Sequence, residues 1–147
     1  MSNTPAVPPD AHVIVADARK ALLLKNKGPL FSPRFEIVGV ITADPNPTDR
    51  EQGTDWPGRA ATGSHRSSLA QTDRHEFEEQ RFLVRLADEV SRLCHAGEMQ
   101  TMVLVAPPRA LASLRKALPR TLHDRIIAEH DMDLVHLPVP EIERHLT

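Results

Sequence analysis

Side chains suited to ligand contact are densest around Asp55-Trp56-Pro57-Gly58-Arg59, where Trp56, Gly58, Arg59, Gly63, His65 and Arg66 fall within residues 56–66. Guanidinium groups grip phosphate oxygens through paired N–H donors, and glycine lets a backbone come close to a ligand. An indole offers a face on which a base or sugar can stack. Trp56-Pro57 also suits a plainer task, pinning the segment to a sheet with Gly58 making the next turn. The area a Trp buries favours that pin.

Other constellations carry less chemistry. Ser64-His65 and Ser67-Ser68 lack the Gly-x-Ser-x-Gly of a nucleophile elbow, which leaves a serine hydrolase little support. Glu129-His130-Asp131-Met132-Asp133 with His136 crowds potential ligands together, yet it meets no zinc or calcium spacing rule. It reads as a strand end with polar residues alternating outward, and Asp17 reads as a turn former. The expectation is therefore no catalytic set, no bound metal and no cofactor.

Positioning the 56–66 residues is the task of a single domain, since 147 residues are enough for one sizeable core. Residues 12–16, 21–24 and 35–42 are short apolar runs joined by turn formers, an antiparallel meander whose second connection is Asn26-Lys27-Gly28-Pro29. Gly39 inside the third run predicts a bulge or a close backbone approach. Residues 43–72 show neither alternation nor a 3.6-residue period, and a loop of that length in a compact domain usually serves a function.

Asp73-Arg74-His75-Glu76 has capping-box spacing and predicts a helix start. Leu83, Leu86, Val90, Leu93 and Cys94 then recur at helical spacing, and Gly97 stands where a terminating glycine belongs. TMVLVA at residues 101–106 is a continuous apolar run, as in a strand covered on both faces. Pro108 opens a second helix with Leu111, Leu114 and Leu118 inward. A fifth strand over residues 125–129 and a terminal helix from Pro138 or Pro140 through Leu146 complete the order β-β-β-loop-α-β-α-β-α. Such a chain forms a mixed sheet with helices packed on it, in two layers or three. Residues 1–11 read as a flexible segment ahead of one domain over residues 12–147.

Net charge is only −2, but it is unevenly spread. Residues 17–34 carry Arg19, Lys20, Lys25, Lys27 and Arg34 against Asp17, and residues 109–125 carry Arg109, Arg115, Lys116, Arg120 and Arg125 against Asp124. If the fold joins these stretches they make a surface suited to phosphate. The lone Cys94 cannot form an internal disulfide and reads as a small buried hydrophobe. The first ten residues hold three prolines and no signal-like apolar region, and no apolar run reaches membrane-spanning length. A cytoplasmic protein that makes no membrane contact is the expectation.

DWPGR, TDRHEFEEQRF, VLVAPPRALASLRKALP and AEHDMDLVHLPVPEIERHL, in this order and spacing, resemble the bacterial host attachment protein family from about His12 to the C-terminus. Its members are described as required for attachment to host cells. The family is itself similar to the middle domain of archaeal and eukaryotic class I release factors and related ribosome-rescue proteins. That resemblance implies a ribonuclease-H-like α/β fold.

In those release factors a Gly-Gly-Gln tip enters the peptidyl transferase centre. The matching segment here, residues 58–66, has no such tripeptide, so the hydrolytic role does not carry over. Nucleases of this fold hold two metal ions with acids on the first strand, first helix and fourth strand. Asp17 fits the first position and Glu76 or Glu79 the second, but the fourth strand has no acid, which disfavours a metal nuclease.

The combined reading is a non-catalytic binding module with the ribosome or structured RNA as partner. Its contact surface joins Trp56, Gly58, Arg59, Gly63, His65 and Arg66 to Lys25, Lys27, Arg109, Arg115 and Lys116. The alternative is attachment to host cells by a direct or indirect route, and an esterase or peptidyl-tRNA hydrolase carries the least weight. Oligomeric state is left open by the sequence.

Overall fold

Short runs of Val, Ile, Leu and Ala supply the strands of this protein, and each run ends where a turn former or proline stops it. The computed structural model describes residues 7–43 and 64–146, with the backbone alone for residues 64–71. The order is β1 (His12–Ala16), β2 (Lys20–Asn26), β3 (Phe35–Thr42), α1 (Ser64–His95), β4 (Met102–Val105), α2 (Pro108–Ala117), a 3-10 turn (Arg120–Arg125), β5 (Ile126–His130) and α3 (Val139–His145).

The strands form one mixed sheet in the order β3-β2-β1-β4-β5. β1 to β3 are an antiparallel meander, while β4 lies parallel to β1 and β5 parallel to β4. Alternation then decides which side chains face which layer. Ile14, Ala16, Leu23 and Leu104 pack with Leu83, Leu86 and Val90 of α1 and Leu114 of α2. Val13, Val15, Leu22, Leu24 and Val105 face the other way, onto Val7, Leu134, Val135, Ile142 and Leu146. Both faces are covered, so the arrangement has three layers, and all four residues of β4 are buried as a two-sided strand requires.

Gly39 does sit at an irregularity. Leu23 is opposite Gly39 and Leu24 is opposite Ile37, which leaves Val38 as the extra residue of a bulge. A Cβ on Gly39 would come within 3.3 Å of the Leu23 side chain. β3 is the outermost strand on its side of the sheet and exposes about half of Ile37, Val38 and Val40.

Helix α1 starts earlier than the capping box suggests, nine residues ahead of Asp73. No Gly or Pro interrupts residues 64–96, so the helix runs through Asp73 and the box lies within it on an exposed stretch. From Phe82 onward α1 packs on the sheet, with Phe82, Leu83, Leu86, Ala87, Val90 and Cys94 all buried. The expected terminating glycine is in place. Gly97 has φ +78°, its N–H reaches the Cys94 carbonyl at 3.1 Å, and the Glu98 N–H reaches the Leu93 carbonyl at 3.0 Å. Burial raises the Cys94 thiol pKa above its ordinary value and keeps it protonated.

The N-terminal segment is held from Val7 onward, earlier than a flexible stretch through residue 11 would allow. Val7 is buried, and the fully buried Asn26 donates to the Val7 and Pro8 carbonyls at 3.0 and 3.3 Å. Its Oδ1 accepts from the N–H groups of Gly28 and Arg34 at 2.8 and 3.0 Å. Asn26 thus joins the N-terminal segment to the loop between β2 and β3. Gly28 is required there, because a Cβ would come within 2.5 Å of the Ser32 carbonyl oxygen.

Candidate binding crevice

In a sheet with parallel strands, the loops beyond the carboxyl ends of those strands are where ligands collect. Here β1 ends into the turn at Asp17 and β4 ends into Pro107, which opens α2 without a side-chain cap. Between them, under α1, lies a cleft of about 190 Å³ lined by Ala18, Glu79, Gln80, Pro107, Arg109 and Ser113 among others. Gln80 and Ser113 close one wall through a 3.2 Å hydrogen bond between α1 and α2. Arg109 is exposed at the cleft and makes no hydrogen bond or ion pair among the described residues, so its guanidinium is available to an anionic ligand.

Asp17 is the turn former expected of it. Its Oδ1 accepts from the backbone N–H groups of Arg19 at 2.7 Å and Lys20 at 2.8 Å. Its Oδ2 faces elsewhere, 3.2 Å from His136 Nε2 in the segment after β5. Arg19, at the tip of the same turn, lies 3.2 Å from His75 Nδ1 on α1. The Ala43 N–H bonds the Arg19 carbonyl at 2.6 Å, so β3 also ends at this side of the sheet.

The basic residues singled out in the sequence are spread over the molecule. Lys25 sits opposite His12 at the start of β1, and Lys27 follows it, so both lie at the end of the sheet away from Arg109. Arg115 pairs with Glu129 of β5 at 3.1 Å, and Lys116 is exposed near the end of α2. Trp56, Gly58, Arg59 and Gly63 lie outside the described residues, as does the expected pinning of Trp56. His65 and Arg66 belong to the helical backbone of α1.

Arg19, His75, Gln80 and Ser113 were not legible as site residues. No spacing links them, because the parallel pairing of β1 with β4 joins segments about ninety residues apart. A larger hollow of about 370 Å³ lies between the β2–β3 loop and α3, lined by Phe31, Arg34 and Glu143 among others. One Glu143 oxygen there accepts the Phe35 N–H at 2.7 Å, tying α3 to β3.

Two histidines set a pH dependence. His12 Nδ1 and His130 Nε2 are buried without a partner among the described residues. Burial lowers the pKa of both below the ordinary 6.5, and Lys25 lowers that of His12 further. Below pH 6.5 the unfolded chain binds protons that the folded chain refuses, so stability falls with falling pH until the folded histidines also protonate. Urea midpoints at about pH 7.5 and about pH 5.5 test this, and replacing His12 with glutamine flattens the difference.

The family model described as "Protein required for attachment to host cells" matches residues 12–146. No curated protein matches the chain. Among the described residues no helix is long and apolar enough to cross a membrane.

Proposed function

Since the chain belongs to the family of proteins required for attachment to host cells, we propose that it serves bacterial attachment as a non-catalytic binding module. The family match over residues 12–146 is the observation that carries this reading. The contact surface is the carboxyl-end crevice with Arg109, and Trp56, Gly58, Arg59, Gly63, His65 and Arg66 are added to the binding set on the chemistry of their residue types alone. Lys25, Lys27, Arg115 and Lys116 complete the basic set read from the sequence, with Lys25 and Lys27 at the opposite end of the sheet and Arg115 paired with Glu129. An uncommitted guanidinium beside a cleft favours an acidic group on the partner.

Attachment runs directly, through contact at the cell surface, or indirectly, through other surface components. Deleting the gene lowers adherence to host cells several-fold, and the wild-type chain restores it. Restoration by Arg109→Glu to the wild-type level overturns the assignment of the crevice. Adherence unchanged by the deletion overturns the attachment role. Protease treatment of intact cells distinguishes the routes, since only a surface-exposed chain is cut.

A second reading, association with RNA or the ribosome in the cytoplasm, draws on the sheet order. The β3-β2-β1-β4-β5 arrangement with an antiparallel meander is compatible with the ribonuclease-H-like fold implied by the release-factor resemblance. In sucrose gradients of lysate from the same strains, co-migration with ribosomal particles that is lost after ribonuclease supports this reading. Migration as a free protein at every salt concentration removes it.

A further inference from the structure

We propose that Asp17, Asp133 and His136 form a binding site for a divalent transition-metal ion of the Mn²⁺ or Zn²⁺ class. One ligand atom from each of the three lies within 4.8 Å of the other two. Two donors at about 2.1 Å from one ion are about 3 Å apart when adjacent and about 4.2 Å when opposite. The 3.2 Å separation of Asp17 Oδ2 and His136 Nε2 is that of adjacent ligands. Two carboxylate oxygens and one imidazole nitrogen suit Mn²⁺, Fe²⁺ or Zn²⁺ better than Ca²⁺, and they leave coordination positions for water or an acidic group.

The positions are fixed by the fold. Asp17 is held by the two turn amides on its Oδ1, which leaves Oδ2 turned toward His136. Asp133 and His136 flank Leu134 and Val135, whose side chains are buried in the sheet's second core, and the Leu137 N–H closes the turn onto the Leu134 carbonyl at 3.0 Å. A core-anchored segment thus sets two ligands against a third at the end of β1.

Charge supplies an independent reason. Two carboxylates brought this close repel one another unless a cation lies between them. No Lys or Arg pairs with Asp17 or Asp133 among the described residues, and the ion pair His136 makes with Asp17 needs a protonated ring. His136 is two-thirds exposed, so an ion enters from solvent without rearrangement of the core.

The test is a titration of the full chain with Mn²⁺, followed by electron paramagnetic resonance of the free ion and by broadening of the His136 ring resonances. One ion binds per chain, His136 broadens before the other histidines, and Zn²⁺ competes. Asp133→Asn and His136→Gln each weaken binding at least about tenfold. Asp17→Asn keeps the oxygen that caps the turn, so it tests the third ligand in a folded chain, and circular dichroism verifies that fold. Binding that is non-stoichiometric, that spares His136, or that survives Asp133→Asn and His136→Gln undiminished overturns the site.

Discussion

Replacing Asn26 with alanine lowers the unfolding free energy by about 3 kcal/mol, measured as a shift in urea midpoint at constant slope. The side chain is fully buried, and both its donor and its acceptor are used, toward Val7, Pro8, Gly28 and Arg34. Truncation strands the Val7 carbonyl and the N–H groups of Gly28 and Arg34, while the Pro8 carbonyl keeps the Ala11 N–H at 3.1 Å, and each buried group left without a partner costs about 1–3 kcal/mol less whatever water recovers. The damage extends beyond the loop, because Val7 reaches the core only while the N-terminal segment stays down. A loss below about 1 kcal/mol would show that water replaces the amide without strain and that Asn26 is not the clamp.

Leu86→Ala has a comparable effect for a different reason, a loss of about 3–4 kcal/mol. Leu86 is fully buried where α1 packs on the sheet, amid side chains of β1, β4 and α2. Removing three carbons there leaves a cavity that the sheet cannot close by moving. Val84, two residues back and about half exposed, is the control, since Val84→Ala changes stability by no more than about 0.5 kcal/mol. Equal losses at the two positions would mean that α1 does not pack as described. Domains of this kind are stable by only about 5–15 kcal/mol, so either large substitution consumes much of the margin.

Most of the fold was legible because its signals are local. TMVLVA announces a two-sided strand by composition, Gly97 ends α1 through its own left-handed backbone, and Gly39 marks the bulge. The start of α1 was misjudged because a capping box shows only that a helix can begin, and helix-compatible residues on both sides let it run past. The crevice was hardly legible at all. Arg109 stood out by charge, but its neighbours Gln80 and Ser113 are ordinary helix residues until α1 and α2 meet. Asp17 and His136 were read separately, one as a turn former and one as an outward strand-end residue. Only the neighbouring places of β1, β4 and β5 in the sheet bring them together. The notion of one basic patch failed to anticipate that an antiparallel β2 carries Lys25 to the far end of the sheet.

The bulge at Val38 also bears on how copies of this chain behave toward one another. Ile37-Val38-Gly39-Val40-Ile41 reads identically in both directions, and an outermost strand with such a sequence is a template for an identical strand laid against it head to tail. The extra residue interrupts that template. It shifts the side-chain alternation by one place halfway along β3, so no single register matches both halves of two neighbouring copies. The irregularity that looks like a flaw in the ladder thus works against edge-to-edge pairing of identical copies along β3.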